Sequence, residues 1–88
     1  MKVVKKNGKL ENFNKEKICI SIYNASCDVE HGLLNSSDLK ILLEDIVTTL
    51  QELRKNDEQT SSYEIVGVII NSLKKNGFYN VAKAYSSL

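Results

Sequence analysis

Asn7-Gly8 commits this chain to reverse direction before it is ten residues long. Asn-Gly is the strongest short-range hairpin signal, because both residues tolerate the positive φ that a type I′ turn needs. The runs Val3-Val4-Lys5-Lys6 and Lys9-Leu10-Glu11-Asn12-Phe13 flank the pair, which predicts an N-terminal β-hairpin. An isolated two-stranded ribbon is marginal in water, so it must lie on the rest of the chain.

The rest reads as helix. Asn14 is a good N-cap, and Phe13 and Ile18 occupy the N′ and N4 positions of a hydrophobic staple. Ile18, Ile22, Ala25 and Val29 then recur at helical spacing, and His31-Gly32 is expected to end this helix, with the glycine as the stop. Asn35-Ser36-Ser37-Asp38 opens a second helix. Its stripe is Leu39, Leu42, Leu43, Ile46, Leu50 and Leu53, running to Arg54-Lys55. Asn56-Asp57-Glu58-Gln59-Thr60 is a polar connection, and Ser61-Ser62-Tyr63-Glu64 matches a capping box. The third stripe is Ile65, Val66, Ile69, Ile70 and Leu73. It is followed by Lys74-Lys75-Asn76-Gly77, cations and then a residue pair suited to a left-handed cap. A short last helix begins near Tyr79, with Val81, Ala82 and Tyr85 facing inward. The expected fold is mostly α (α+β): a small four-helix bundle capped by the hairpin.

With 88 residues, one domain spanning 1–88 is expected. No apolar run approaches the roughly 20 residues that span a bilayer, and the N-terminus does not read as a signal peptide. A cytoplasmic protein is the default. Cys19 and Cys27, eight residues apart on one helix, stand about 12 Å from each other. That is too far for a disulfide, which needs Cα atoms within about 7 Å, or for a shared metal.

No catalytic constellation is present. The single histidine, His31, has no partner at metal-ligand spacing. The serines stand at helix starts, where capping explains them. Glu44-Asp45 and Asp57-Glu58 read as solvated surface. No glycine-rich phosphate loop or dinucleotide fingerprint occurs. The expectation is a protein without catalysis and without a metal site.

The charge distribution is informative. Residues 1–17 hold six lysines against two glutamates, a net +4 against −3 for the remainder. A local positive pole on a near-neutral body suits a small anionic ligand better than nucleic acid, whose binders show a strongly basic domain. Lys5, Lys6 and Lys9 crowd the turn, and Lys17 lies one helical turn beyond the second strand. Lys15 and Lys17 also oppose the dipole of the first helix, which favours negative charge at that end. Glu11 is placed to accept from a ribose hydroxyl or a base amine, or to hold a lysine. Asn14 is placed to meet a base edge or to cap. By charge and spacing alone, an exposed lysine-rich hairpin without a ligand stays open.

The string Val3-Val4-Lys5-Lys6-Asn7-Gly8, then Glu11, then Phe13-Asn14-Lys15-Glu16-Lys17-Ile18 resembles the opening of the ATP-cone domain. Thr60-Ser61-Ser62-Tyr63-Glu64-Ile65-Val66 and Val81-Ala82-Lys83-Ala84-Tyr85 resemble its third and last helices. The resemblance implies a helical bundle capped by a β-hairpin that binds ATP or dATP between cap and helices. It implies an allosteric module of the kind found in ribonucleotide reductases and in the repressor of reductase genes. It implies that Val3, Lys5 and Lys6 line the nucleotide site, that Glu11 and Asn14 approach base and sugar, that Lys17 reaches phosphate, and that Thr60 offers its hydroxyl near a helix start. Magnesium accompanying the nucleotide and a homo-oligomer or reductase-related partner belong to the same expectation. Lys6 replaces the usual arginine, Glu64 stands where reductases often have histidine, and the chain reaches Ser86-Ser87-Leu88 without the usual Tyr-Arg. It shows neither a reductase core nor a zinc ribbon, which leaves a free-standing or an excised cone.

The expected function is regulatory binding of a purine nucleoside triphosphate. The alternatives are a helical protein-interaction module, indifferent to nucleotide, and a nucleic-acid-binding module using the lysines. The latter is disfavoured because no aromatic residues interleave them.

Overall fold

A computed structural model describes residues 1–54 and 59–87. The order is β1 (Lys2–Val4), β2 (Leu10–Asn12), α1 (Lys15–Cys27), α2 (Ser36–Leu53), β3 (Gln59–Ser61), α3 (Ser62–Lys75) and α4 (Tyr79–Ser86). Four helices and a small sheet agree with the expected mostly α fold. The sequence missed β3, because Gln-Thr-Ser is short, polar and unpatterned. Its pairing comes from the open edge of β1. The sheet order is β2-β1-β3, with β1 antiparallel to β2 and parallel to β3. Thr60 is therefore in a strand rather than in a connection. The rest of that expected connection, 56–58, lies outside the described residues, as does Lys55.

The hairpin turn also differs from type I′. Only Gly8 has positive φ, at 83°; Asn7 does not. Gly8 N–H donates to Lys5 O at 2.9 Å, and Lys5 N–H donates to Lys9 O at 2.8 Å. This is the three-residue loop in which a type I turn precedes one left-handed residue. Asn7 contributes through its side chain, whose Oδ1 accepts from Lys9 N–H at 3.0 Å.

Asn14 caps α1 as expected, its Oδ1 accepting from Glu16 N–H at 2.9 Å and Lys17 N–H at 3.3 Å. The helix ends at Cys27, earlier than His31-Gly32. The left-handed residue beyond it is His31, φ 59°, rather than Gly32. Gly32 is needed for a different reason: a Cβ there would stand 2.5 Å from Val29 Cβ. α2 has a full capping box between Asn35 and Asp38. Its expected stripe stops short, since Leu53 is exposed. α3 ends in a Schellman motif, with Phe78 N–H bonded to Leu73 O at 2.8 Å and Gly77 N–H to Lys74 O at 3.1 Å. Phe78 packs on the core as that motif predicts.

The core centres on Ile22, Leu42, Ile46, Leu50, Ile69 and Leu73, all fully buried. Val81, Ala82 and Tyr85 join from α4. Val68 is buried and Val66 exposed on α3, a small rotation of the expected stripe. Asp45 is not solvated surface. It accepts from Ser72 Oγ at 2.6 Å and Lys75 Nζ at 2.7 Å, which ties α2 to α3. Glu44 beside it makes no such bond among the described residues.

Two glycine substitutions are expected to act with opposite sign. Gly32→Ala forces Val29 to move and costs about 1–3 kcal/mol. Gly67→Ala, inside α3 with nothing within 4 Å of its Cβ, gains about 0.5–1 kcal/mol from helix propensity. Thermal unfolding of both variants checks this. The two melting points should move apart by several degrees, at about 4–8 °C per kcal/mol for a domain of this size.

Candidate functional site

The site forms where the sheet meets α1, α3 and α4. Val3, Glu11 and Thr60 are paired across the sheet, with Val3 in the middle. Val3 is buried, and its neighbours put chemistry on both sides. A cleft of about 190 Å³ opens beside this row. Its floor is apolar: Val3, Phe13, Ile18, Ile65, Val66 and Ile69. Its polar wall is Lys5 and Glu11 from the hairpin, Asn12 and Asn14 from the strand-to-helix junction, and Lys17 from α1. Ser21, Ser62 and Tyr85 add hydroxyls. Ser21 donates to Ile18 O at 2.8 Å, and its oxygen stands 3.1 Å from the Tyr85 hydroxyl. Two further depressions adjoin the cleft through Ser62. One is lined by Lys5, Lys6 and Asn7, and the other by Lys6, Tyr63, Val66, Ile70, Tyr85 and Ser86.

Two of the lysines converge on one carboxylate. Lys5 Nζ is 3.6 Å and Lys17 Nζ 3.8 Å from Glu11 Oε2. All three side chains keep substantial contact with solvent, so these pairs add little to stability. Their value is positional: one glutamate holds two ammonium groups at the cleft mouth. Each is free to exchange that carboxylate for a ligand anion at small cost.

The family model of the ATP cone domain covers residues 1–88. The chain belongs to that family. No curated protein matches it. ATP cones are nucleotide-binding, allosteric regulatory domains rather than catalytic ones, and in this cone no helix among the described residues is long and apolar enough to cross a membrane.

The seven residues expected at the site fall into three groups in this cone. Val3, Lys5, Glu11, Asn14 and Lys17 share the cleft. Lys6 lies beside it, its Nζ 5.7 Å from the Tyr63 ring centre, within cation–π range. Thr60 is the exception. It is only 2% exposed, and its hydroxyl donates to Glu64 Oε1 at 2.6 Å rather than facing the cleft. The polar residues of the cleft that sequence patterning leaves out are Asn12, Ser21, Ser62 and Tyr85. Ser21 lies mid-helix in α1 and carries no sequence signal, Ser62 reads as part of a capping segment, and Tyr85 reads as core.

Glu64 explains where Thr60 went. Arg54, just past α2, grips it with Nε at 2.7 Å from Oε1 and Nη2 at 2.8 Å from Oε2. With Thr60 this makes three hydrogen bonds to one carboxylate. The expected capping box at α3 is therefore half made: Ser61 Oγ accepts from Glu64 N–H at 3.1 Å, while the Glu64 side chain turns to Arg54 and Thr60. Their donation, Arg54 first, holds the Glu64 carboxyl below its ordinary 4.5. Lys75 and then Ser72 do the same for Asp45, below its ordinary 3.8. No group of three His, Cys, Asp or Glu that could hold a metal ion is gathered among the described residues.

Both carboxyl groups are more acidic folded than unfolded, so the stability they contribute is present above their unfolded values. It is lost as pH falls through their folded values. Acid unfolding should steepen below about pH 4.5. Glu64→Gln should flatten that profile and cost about 1–2 kcal/mol at neutral pH. Melting points measured from pH 7 to pH 3 check both expectations.

Proposed function

We propose that residues 1–88 act as one regulatory domain that binds a purine nucleoside triphosphate, ATP or dATP, in the cleft between hairpin and helices. The observation that carries this reading is the convergence of Lys5, Lys17 and Glu11 at the mouth of an apolar-floored cleft. Apolar side chains and a purine face are chemically matched, and several lysines neutralise a polyphosphate as point charges. The cleft alone is smaller than the roughly 300–1,000 Å³ of ordinary ligand pockets. The adjoining depressions supply the remaining room, with Lys6 between them.

In this reading Val3 and the α3 side chains support the base. Glu11 and Asn14 serve the sugar and base edge, and Lys5, Lys6 and Lys17 hold the phosphates. Thr60 acts indirectly, by fixing Glu64 and the start of α3. Magnesium, where present, travels on the nucleotide rather than on the protein. The domain performs no catalysis. Its output is a change in association, either between copies of the chain or with a ribonucleotide-reductase-related partner, in the cytoplasm.

A ligand that binds only the folded state raises its stability by mass action, by about 2.7 kcal/mol at a hundredfold excess over Kd. ATP or dATP at millimolar concentration is therefore expected to raise the melting point by several degrees, with GTP and ADP less effective. Lys5→Ala and Lys17→Ala should each weaken ATP binding severalfold in calorimetry and leave the unliganded melting point nearly unchanged. If no purine nucleotide shifts the melting point, the nucleotide reading is wrong. A steeply salt-dependent affinity for DNA or RNA would favour nucleic-acid binding instead.

A further inference from the structure

The Ser62 hydroxyl oxygen is buried and has no hydrogen-bond partner among the described residues. Buried polar groups in folded proteins are nearly always paired, so an unpaired one calls for a reason. Capping is not the reason. The N-cap of α3 is Ser61, and Ser62 is the first helical residue.

Its surroundings supply one. Ser62 lines the main cleft with Lys5, and it lines both adjoining depressions, where Lys6 also stands. Ser62 is thus the residue common to all three spaces, although its oxygen is covered. Lys5 and Lys6 line the same spaces, and Ser62 is the first residue of the 14-residue α3. The nearby carboxylates are committed, Glu64 to Arg54 and Glu11 to Lys5 and Lys17. A group that carries negative charge and accepts hydrogen bonds satisfies the hydroxyl, the lysines and the helix start together. A phosphoryl oxygen is such a group, and neither a base nor a sugar is.

We infer that Ser62 donates its hydroxyl to a phosphoryl group of the bound nucleotide, held between Lys5 and Lys6 at the first turn of α3. The inference rests on the nucleotide reading above. Ser62 takes the role that the family resemblance implied for Thr60, whose hydroxyl is already given to Glu64. Rotation about χ1 between staggered wells carries the oxygen from its covered position towards the ligand without backbone movement.

The energetics give this residue an unusual signature. Without ligand, the hydroxyl is desolvated and makes no bond, so deleting it removes nothing that stabilises the fold. With ligand, deleting it removes a hydrogen bond. Ser62→Ala is therefore expected to keep or raise the unliganded melting point while weakening ATP binding about three- to tenfold. Calorimetry with ATP, inorganic tripolyphosphate and adenosine reads this directly. The variant should lose affinity for ATP and tripolyphosphate and keep that for adenosine. Unchanged ATP affinity, an equal loss for adenosine, or a lowered unliganded melting point each overturns the assignment. A wild-type protein that binds neither ATP nor tripolyphosphate removes the nucleotide reading itself, a result distinct from any of these.

Discussion

The carboxylate of Glu64 joins three parts of the chain at one point. Arg54 comes from the end of α2, Thr60 from β3, and Glu64 itself from the first turn of α3. Charged bidentate hydrogen bonds are directional, so this contact fixes angle as well as distance. Once it forms, α3 can start in one place only, and β3 is delivered to the open edge of β1. The cleft wall is a by-product: Ser62, Ile65 and Ile69 follow from where α3 begins.

Apolar burial supplies most of the stability, but it does not choose the geometry of the site. Apolar contacts are non-directional, so leucine and isoleucine stripes do not by themselves fix a rotation: α3 buries Val68 and leaves Val66 exposed. Polar clamps remove that freedom. Asp45 sets the register of α2 against α3 through Ser72 and Lys75, and Glu64 sets the junction with the sheet. The two clamps lie towards opposite ends of α3, so the helix is pinned near both termini. The cleft opens between this helix and the hairpin, which β1 ties to β3.

The helices and their caps were legible in the sequence because their causes are local. Asn14, Asn35, Ser61 and the Asn76-Gly77 pair act within one turn of themselves, and stripe periodicity marks the buried faces. The grouping of Lys5, Lys17 and Glu11 was legible because the turn forces them together within a dozen residues. What escaped was every feature whose cause is distant. β3 has no strand pattern of its own and exists through β1. Thr60 turned inward because Arg54 and Glu64 were waiting there. Asp45 looked like half of a surface pair until α3 packed across it. Ser62 looked like another capping serine, and only packing beneath the hairpin made its hydroxyl exceptional. The turn at Asn7-Gly8 was found, but its type was not, since Asn7 stays at negative φ and works through its side chain.

The place of β1 in the middle of the sheet has a consequence for how the protein assembles. Val3 lies opposite Thr60, 57 positions further along the chain. Closing so long a loop carries an entropy cost that must be met before the pairing returns anything. The hairpin can form early by itself, yet it is too small to persist alone. Pairing of β1 with β3 therefore joins the N-terminal strand to the segment that leads directly into α3. The wall of the cleft and the start of that helix are held by the same contact, so a displacement of either is felt by the other.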